Sequence, residues 1–91
     1  MTLRVRIRPE AQRDIVSSAR WYESREPELG VEFWGSLDRV VEAIREDPER
    51  FPMVYREFRR ALLRRFPYSV FFRLGPKENV VADSLPRARR A

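Results

Sequence analysis

Prolines divide this chain into segments whose lengths and periodicities leave few folds open. They stand at positions 9, 27, 48, 52, 67, 76 and 86. A proline suits the first turn of a helix, and it pushes the residue before it out of the helical region. Each therefore marks a start, a stop or an interruption. Ahead of Pro9, Leu3-Arg4-Val5-Arg6-Ile7-Arg8 alternates apolar and basic residues. That is the period of a half-buried strand, with Leu3, Val5 and Ile7 inward and the arginines outward.

Between Pro9 and Pro27 the period changes. Ala11, Ile15, Ala19 and Tyr22 recur at helical spacing with Val16 beside them, which predicts a helix over 9–25. Phe33, Leu37, Val40, Val41 and Ile44, widened by Trp34, predict a second helix over 29–46, stopped at Asp47-Pro48. With about four residues between them, the helices should pack as an antiparallel hairpin. Residues 48–55 read as a loop anchored by Phe51. Strands follow over 58–66, with Leu62 or Leu63 facing the core, over 68–74 after Pro67, and over 80–84 after a turn at 75–79. In 68–74, Tyr68, Val70, Phe72 and Leu74 share one face. The fold class is α+β, in the order β-α-α-β-β-β. The last three strands are expected as an antiparallel meander, with the helical hairpin over one sheet face.

A chain of 91 residues is one domain and buries roughly 60–65% of its unfolded surface. The domain is expected over 1–85, followed by a basic, partly disordered tail at 86–91. No apolar run reaches the ~18–20 residues of a membrane span, and no signal-peptide pattern opens the chain, so a cytoplasmic protein is expected. The absence of Cys and His excludes disulfides, thiolate nucleophiles, Cys/His zinc sites and imidazole bases. Glu23, Glu26, Glu28 and Glu32 read as ordinary helix-terminus charges rather than a metal site. No metal or cofactor is expected.

Charge is uneven. Residues 1–50 hold nine arginines against eleven acidic residues, net −2; residues 51–91 hold ten basic residues against three acidic ones, net +7. Such asymmetry points to an acidic or polyanionic partner for the second half. Arginine outnumbers lysine 18 to 1, which supplies forked, permanently charged groups suited to carboxylate or phosphate.

Several segments together carry a family resemblance. They are Ala19-Arg20-Trp21-Tyr22-Glu23, Pro27-Glu28-Leu29-Gly30, Phe33 with Leu37, Asp47-Pro48-Glu49-Arg50-Phe51-Pro52, and Arg59 through Phe72. The series resembles the RelE/ParE superfamily of type II toxin–antitoxin toxins, especially its ParE-like, plasmid-stabilisation branch, over about residues 5–83. The resemblance implies a compact β-α-α-β-β-β fold. It also implies a toxin held inactive in complex with a cognate antitoxin that folds on its surface. RelE-like members cleave mRNA in the ribosomal A site, whereas ParE-like members inhibit DNA gyrase without known hydrolytic chemistry.

The nucleases resemble this chain through a Tyr-Arg or His-Arg pair opening the central strand. Here Tyr68 is followed by Ser69, which has no charge to stabilise a cleaved phosphate. The His or Tyr that several nucleases carry near the last strand is also missing from Asp83-Ser84-Leu85-Pro86-Arg87. The ParE-like reading is therefore preferred. That branch often ends in a His-x-x-Arg-Asp-Pro-like segment, and Leu85 stands where its His would be. Whether toxicity survives is open at the level of sequence.

Two sets of candidate residues follow from the resemblance. A nuclease would use Arg64, Arg65, Tyr68 and Arg87. A partner-binding protein would use Arg59, Arg60, Arg64, Arg65, Trp21, Tyr55, Arg87 and Arg89, to meet an antitoxin, DNA gyrase or the ribosome with its mRNA. Adjacent residues of a strand point to opposite faces, so one arginine of each pair should lie near the helix side or at a strand end. The outer positions of a sheet whose inner face is Leu62 and Phe66 are the plain alternative for this arginine-rich segment. Trp21, Tyr22 and Trp34 are expected mainly in hairpin packing, with Trp21 a contact residue if exposed. Met53-Val54-Tyr55 is an alternative antitoxin dock. A basic module that touches nucleic acid without toxicity is the third reading.

Overall fold

Pro9 and Pro27 each sit in the first turn of a helix, α1 (Pro9–Arg25) and α2 (Pro27–Glu46). A single extended residue, Glu26 (φ −153°, ψ 130°), separates the helices, so the link is shorter than the four residues expected. Pro27 does two jobs there. It forces its predecessor out of the helical region and then opens α2 at the position where a missing N–H costs nothing. The Glu26 N–H donates to the Tyr22 carbonyl at 3.0 Å and closes α1. This computed structural model describes residues 3–76 and 79–83, with Asn79 and Asp83 described in backbone alone. The expected tail, with Arg87 and Arg89, lies outside the described residues.

The remaining elements are β1 (Arg4–Ile7), a 3-10 turn at Pro48–Arg50, β2 (Met53–Tyr55), β3 (Phe58–Leu62), β4 (Ser69–Leu74) and β5 (Asn79–Asp83). They form a five-stranded sheet in the order β1-β5-β4-β3-β2. β1 pairs parallel with β5, and every other pair is antiparallel. The helical hairpin is the crossover that a parallel β1–β5 pairing needs.

Three expectations are corrected. The segment 48–55 is not all loop, because it contains β2. The antiparallel run is consequently four strands long rather than three. The strand expected over 58–66 ends at Leu62. Arg65 has φ 73°, in the left-handed region that no strand uses, and Pro67 follows two residues on. The loop closes on itself, with Leu63 N–H donating to the Tyr68 carbonyl at 2.9 Å and Tyr68 N–H to the Phe66 carbonyl at 2.8 Å. Leu63, not Leu62, faces the core: Leu63 is buried and Leu62 is 58% exposed. Leu74 shares the core face by register but is exposed at its end of the sheet.

The core lies between the hairpin and one sheet face. Phe33, Phe72, Ile44 and Val80 are its fully buried large side chains, and burial of each stabilises by about 1.5–3 kcal/mol. Leu3, Val5 and Ile7 pack against it from β1, as the alternation predicts. Phe33 is an aromatic hub. Its ring stacks on Tyr22 (5.4 Å) and meets Phe66 (5.5 Å) and Tyr68 (5.3 Å) edge to face. Those four rings tie α1, α2 and the β3–β4 loop together, each pair contributing about 0.5–1.5 kcal/mol beyond area burial.

Candidate partner-binding surface

Register divides the sheet into two faces. On the helix side lie Val5 and Ile7, Val80 and Ala82, Val70 and Phe72, and Ala61, all in or against the core cluster. On the other face lie, by register, Arg4 and Arg6 of β1, Asn79, Val81 and Asp83 of β5, Ser69, Phe71 and Arg73 of β4, Phe58, Arg60 and Leu62 of β3, and Tyr55 of β2, which pairs with Phe58. Among the described residues no helix covers this face. Phe71 and Val81 are each only 7% exposed, yet neither belongs to the core cluster. They form a second, smaller apolar patch on the far side.

The arginines are arranged around that patch. Arg6 is paired with Val81, and Val81 with Arg73, so the three make one row across β1, β5 and β4. Arg60 is paired with Phe71, and Leu62 with Ser69. The aliphatic stems of arginines lie readily along apolar neighbours while their guanidinium groups stay in water. None of Arg4, Arg6, Arg60 and Arg73 has an ion pair among the described residues, in contrast to Arg45, which pairs with Glu42, and Arg65, which pairs with Glu32. The open face thus carries four arginines around a buried apolar centre, with Asp83 of β5 in the row of Arg60 and Phe71 by register.

The arginine pairs expected as a contact surface separate in the fold. Arg59 points to the helix side, as one residue of an adjacent pair must. Its guanidinium donates to the Glu49 carbonyl at 3.1 Å and the Phe51 carbonyl at 2.6 Å, clamping the 48–52 turn to β3. Arg60 remains exposed on the open face. Arg64 and Arg65 project from the β3–β4 loop. The buried Ser36 hydroxyl of α2 donates to the Arg64 carbonyl at 3.1 Å, and Glu32 pairs with Arg65 at 3.5 Å. The loop is therefore held by α2, with its two arginine side chains exposed.

Tyr68 does not join them. It is 6% exposed, and its hydroxyl donates to Asp14 Oδ2 of α1 at 2.8 Å. The following residue, Ser69, points to the opposite face. Of the residues implied for a nuclease, Tyr68 thus lies on the helix side and Arg64 and Arg65 point out from a loop, while Arg87 lies outside the described residues. Trp21 is 53% exposed and Trp34 42%, so both lie at the hairpin surface rather than in its packing; the Arg25 guanidinium sits 4.5 Å from the Trp21 ring centroid. Tyr55 is exposed on β2, beside Met53 and Val54, at the free edge of the sheet.

Arg4, Arg6 and Arg73 are surface residues missing from the sequence candidates, and Phe71 was missing from any expected face. The outward arginines of 3–8 were legible from alternation. Their placement beside Val81 and Arg73 depends on the parallel β1–β5 pairing, which no local pattern encodes. A second basic feature lies elsewhere, in a hollow of about 460 Å³ along α1 lined by Gln12, Arg13, Val16, Ser17 and Arg20. Its described walls come from one helix only. No described cluster of three or more acidic residues is arranged to hold a metal ion, and no described helix is long and apolar enough to cross a membrane. No protein-family model and no curated protein matches this chain.

Proposed function

We propose that this chain is a ParE-like toxin of a type II toxin–antitoxin pair, acting by binding and inhibiting a protein target, DNA gyrase, and held in check by a cognate antitoxin. The observation that carries the binder over the nuclease is the division of the nuclease residues. RNA cleavage needs a proton-transfer group and a guanidinium to converge on one phosphate. Tyr68 instead holds the helix layer through Asp14, and Ser69 beside it offers the open face no charge. Binding needs only an accessible, complementary surface, and the exposed arginines supply one.

Further support comes from the β-α-α-β start, the four-strand antiparallel run and the basic sheet half. All are compatible with the toxin fold that the motifs imply. An acidic antitoxin would neutralise the basic half and add burial to a small core. Induced expression in bacteria tests the reading. Growth arrest with filamentation and DNA-damage signalling is expected, relieved by co-expressing the neighbouring reading frame. Translation arrest with mRNA cut in the ribosomal A site would instead make it a RelE-like interferase. Normal growth together with nucleic-acid affinity that falls steeply with salt would make it a non-toxic binding module.

A further inference from the structure

We propose that the outward face of α2 is a contact between two copies of this chain, packed antiparallel so that Val31 of each copy seats on Gly35 of the other, beside Trp34. The inference goes beyond the inhibitor reading and does not depend on it. It begins with a glycine that the chain itself does not explain. Glycine is the least favourable residue after proline in a helix interior. Of the two glycines in α2, Gly30 is needed within the chain, because a Cβ there would sit 3.0 Å from Glu23 Cβ at the crossing with α1. Gly35 has no such neighbour. Among the described residues, a Cβ there would meet only the Arg39 guanidinium of its own helix, with Nη1 at 3.8 Å. Room left on the outer side of a helix serves a close approach from outside the chain. Large apolar side chains flank it on the same face: Val31 is 73% exposed and Trp34 42%. The Trp34 ring meets the buried Phe33 ring edge to face at 6.2 Å, which steadies it as an anchor.

Self-complementarity selects a second copy as the occupant. The face carries a projection at Val31 and a hollow at Gly35, one helical turn apart, so one surface satisfies itself under a two-fold axis. When Val31 stands level with Gly35 of the second copy, the two-fold sets Gly35 level with Val31 in return. Arg39, one turn beyond Gly35, then falls within one residue, about 1.5 Å of rise, of Glu28 of the second copy. Helical spacing puts Glu28, Gly35 and Arg39 on one side of Val31, and Trp34 and Asp38 on the other. Like sides meet in an antiparallel two-fold pair, so Glu28 meets Arg39 twice and Asp38 is turned away from Glu28. Neither Glu28 nor Arg39 has an ion pair among the described residues. Net charge favours the same route. The chain carries +5, but residues 27–46 hold five acidic and two basic residues, net −3, so two copies meeting through α2 keep their basic halves apart. A contact of one helix face falls below about 1,200 Å², the class of weak, reversible interfaces.

Sedimentation equilibrium of the full chain from about 5 to 500 µM tests the contact, with a reversible monomer–dimer equilibrium expected. A monomer throughout overturns the proposal. Species larger than a dimer also overturn it, because they would mean a head-to-tail contact. Gly35→Leu fills the hollow and Val31→Glu removes the projection, and each should weaken dimerisation about 10-fold or more. Gly35→Ala should weaken it about 3-fold while dilute protein gains helix stability, so that loss of the dimer is separated from loss of the fold. Circular dichroism melting of dilute protein shows that the variants are folded. Leu62→Glu, on an exposed residue of the open sheet face, should change dimerisation less than about 2-fold. Unchanged dimerisation in Gly35→Leu overturns the proposal, and so does an equal loss in Leu62→Glu. Arg39→Glu and Glu28→Arg should each weaken the dimer about 3- to 10-fold, and the two together should restore it to within about 2-fold of wild type. A double variant that shows no recovery overturns the antiparallel pairing and the proposal with it.

Discussion

Phe71 and Phe72 are neighbours on β4, the same residue type and almost equally buried, at 7% and 0% exposure. Their surroundings have little in common. Phe72 faces the helical hairpin, inside the core cluster, with the Phe51 ring 5.7 Å away edge to face. Phe71 faces the other way, outside that cluster, with Arg60 opposite it on β3. A rigid aromatic and aliphatic layer surrounds one ring; the flexible stems of charged side chains are available to the other. Equal burial therefore does not mean equal structural weight. The covered face holds the fold together, whereas no described helix packs on the open face.

Substitutions break or sharpen that contrast. The largest effect is expected from Phe72→Ala, which should cost about 3–5 kcal/mol in urea unfolding, because the packed layer cannot close over the cavity. Phe71→Ala should cost only about 1–2 kcal/mol, because arginine stems can settle into the space. Equal losses would mean that the open face is a second core. Tyr68→Phe removes the hydroxyl that joins the β3–β4 loop to Asp14 and should cost about 1–2 kcal/mol by the same measurement. Because that hydroxyl lies on the covered side, inhibition of the target at a temperature where the variant is folded should not change. Loss of an RNA-cleaving activity on the same substitution would contradict the division of faces.

Smaller effects probe how the covered side is assembled. Gly35 faces open space, its nearest neighbour to an added Cβ being Arg39 Nη1 at 3.8 Å. Gly35→Ala should raise stability by about 0.5–1 kcal/mol through helix propensity alone. Gly30 lies at the crossing of α1 and α2, where a Cβ would sit 3.0 Å from Glu23 Cβ. Gly30→Ala should lose that gain and leave thermal stability at or below wild type. Arg65→Gly relieves a left-handed backbone but gives up the exposed pair with Glu32, so a gain of about 0.5 kcal/mol is expected. A clear loss would show that the arginine pair, rather than the loop backbone, fixes this segment on α2.

Much of the covered side was legible in the sequence because burial imposes periodicity. Ala11, Ile15 and Ala19 mark the buried stripe of α1, and Phe33, Leu37 and Ile44 that of α2. Alternation gave the inward residues of β1. The errors fall where burial imposes no pattern. β2 has only three residues, all exposed, so nothing in Met53-Val54-Tyr55 distinguishes an edge strand from a loop. The run Ala61 to Phe66 is apolar and basic throughout, and its end as a strand at Leu62 depends on the left-handed backbone at Arg65. The candidate surface was half legible. A basic second half pointed to its charge, but the contact set was drawn from local arginine pairs. Pairing turns Arg59 to the helix side and leaves Arg60 on the open one, while Arg6 and Arg73 enter from distant segments.

The sequence by itself determined the punctuation and the layers. Prolines stop and start elements by steric exclusion, and apolar periods choose helix or strand through local geometry. It also determined which chemistry is absent, since no Cys or His is there to supply it. Tertiary structure decided which residues stand together. Placing β1 parallel beside β5 brings Arg6 next to Val81 and Arg73, more than 60 residues apart in the chain, and the β3–β4 register sets Arg60 beside Phe71. Tyr68, which motif resemblance set among catalytic candidates, is turned toward Asp14 at the end of the β3–β4 loop, just before β4 begins. The reason is that strand pairing is non-local. Alternation fixes the two sides of each strand, but only the packed sheet decides which strands share them.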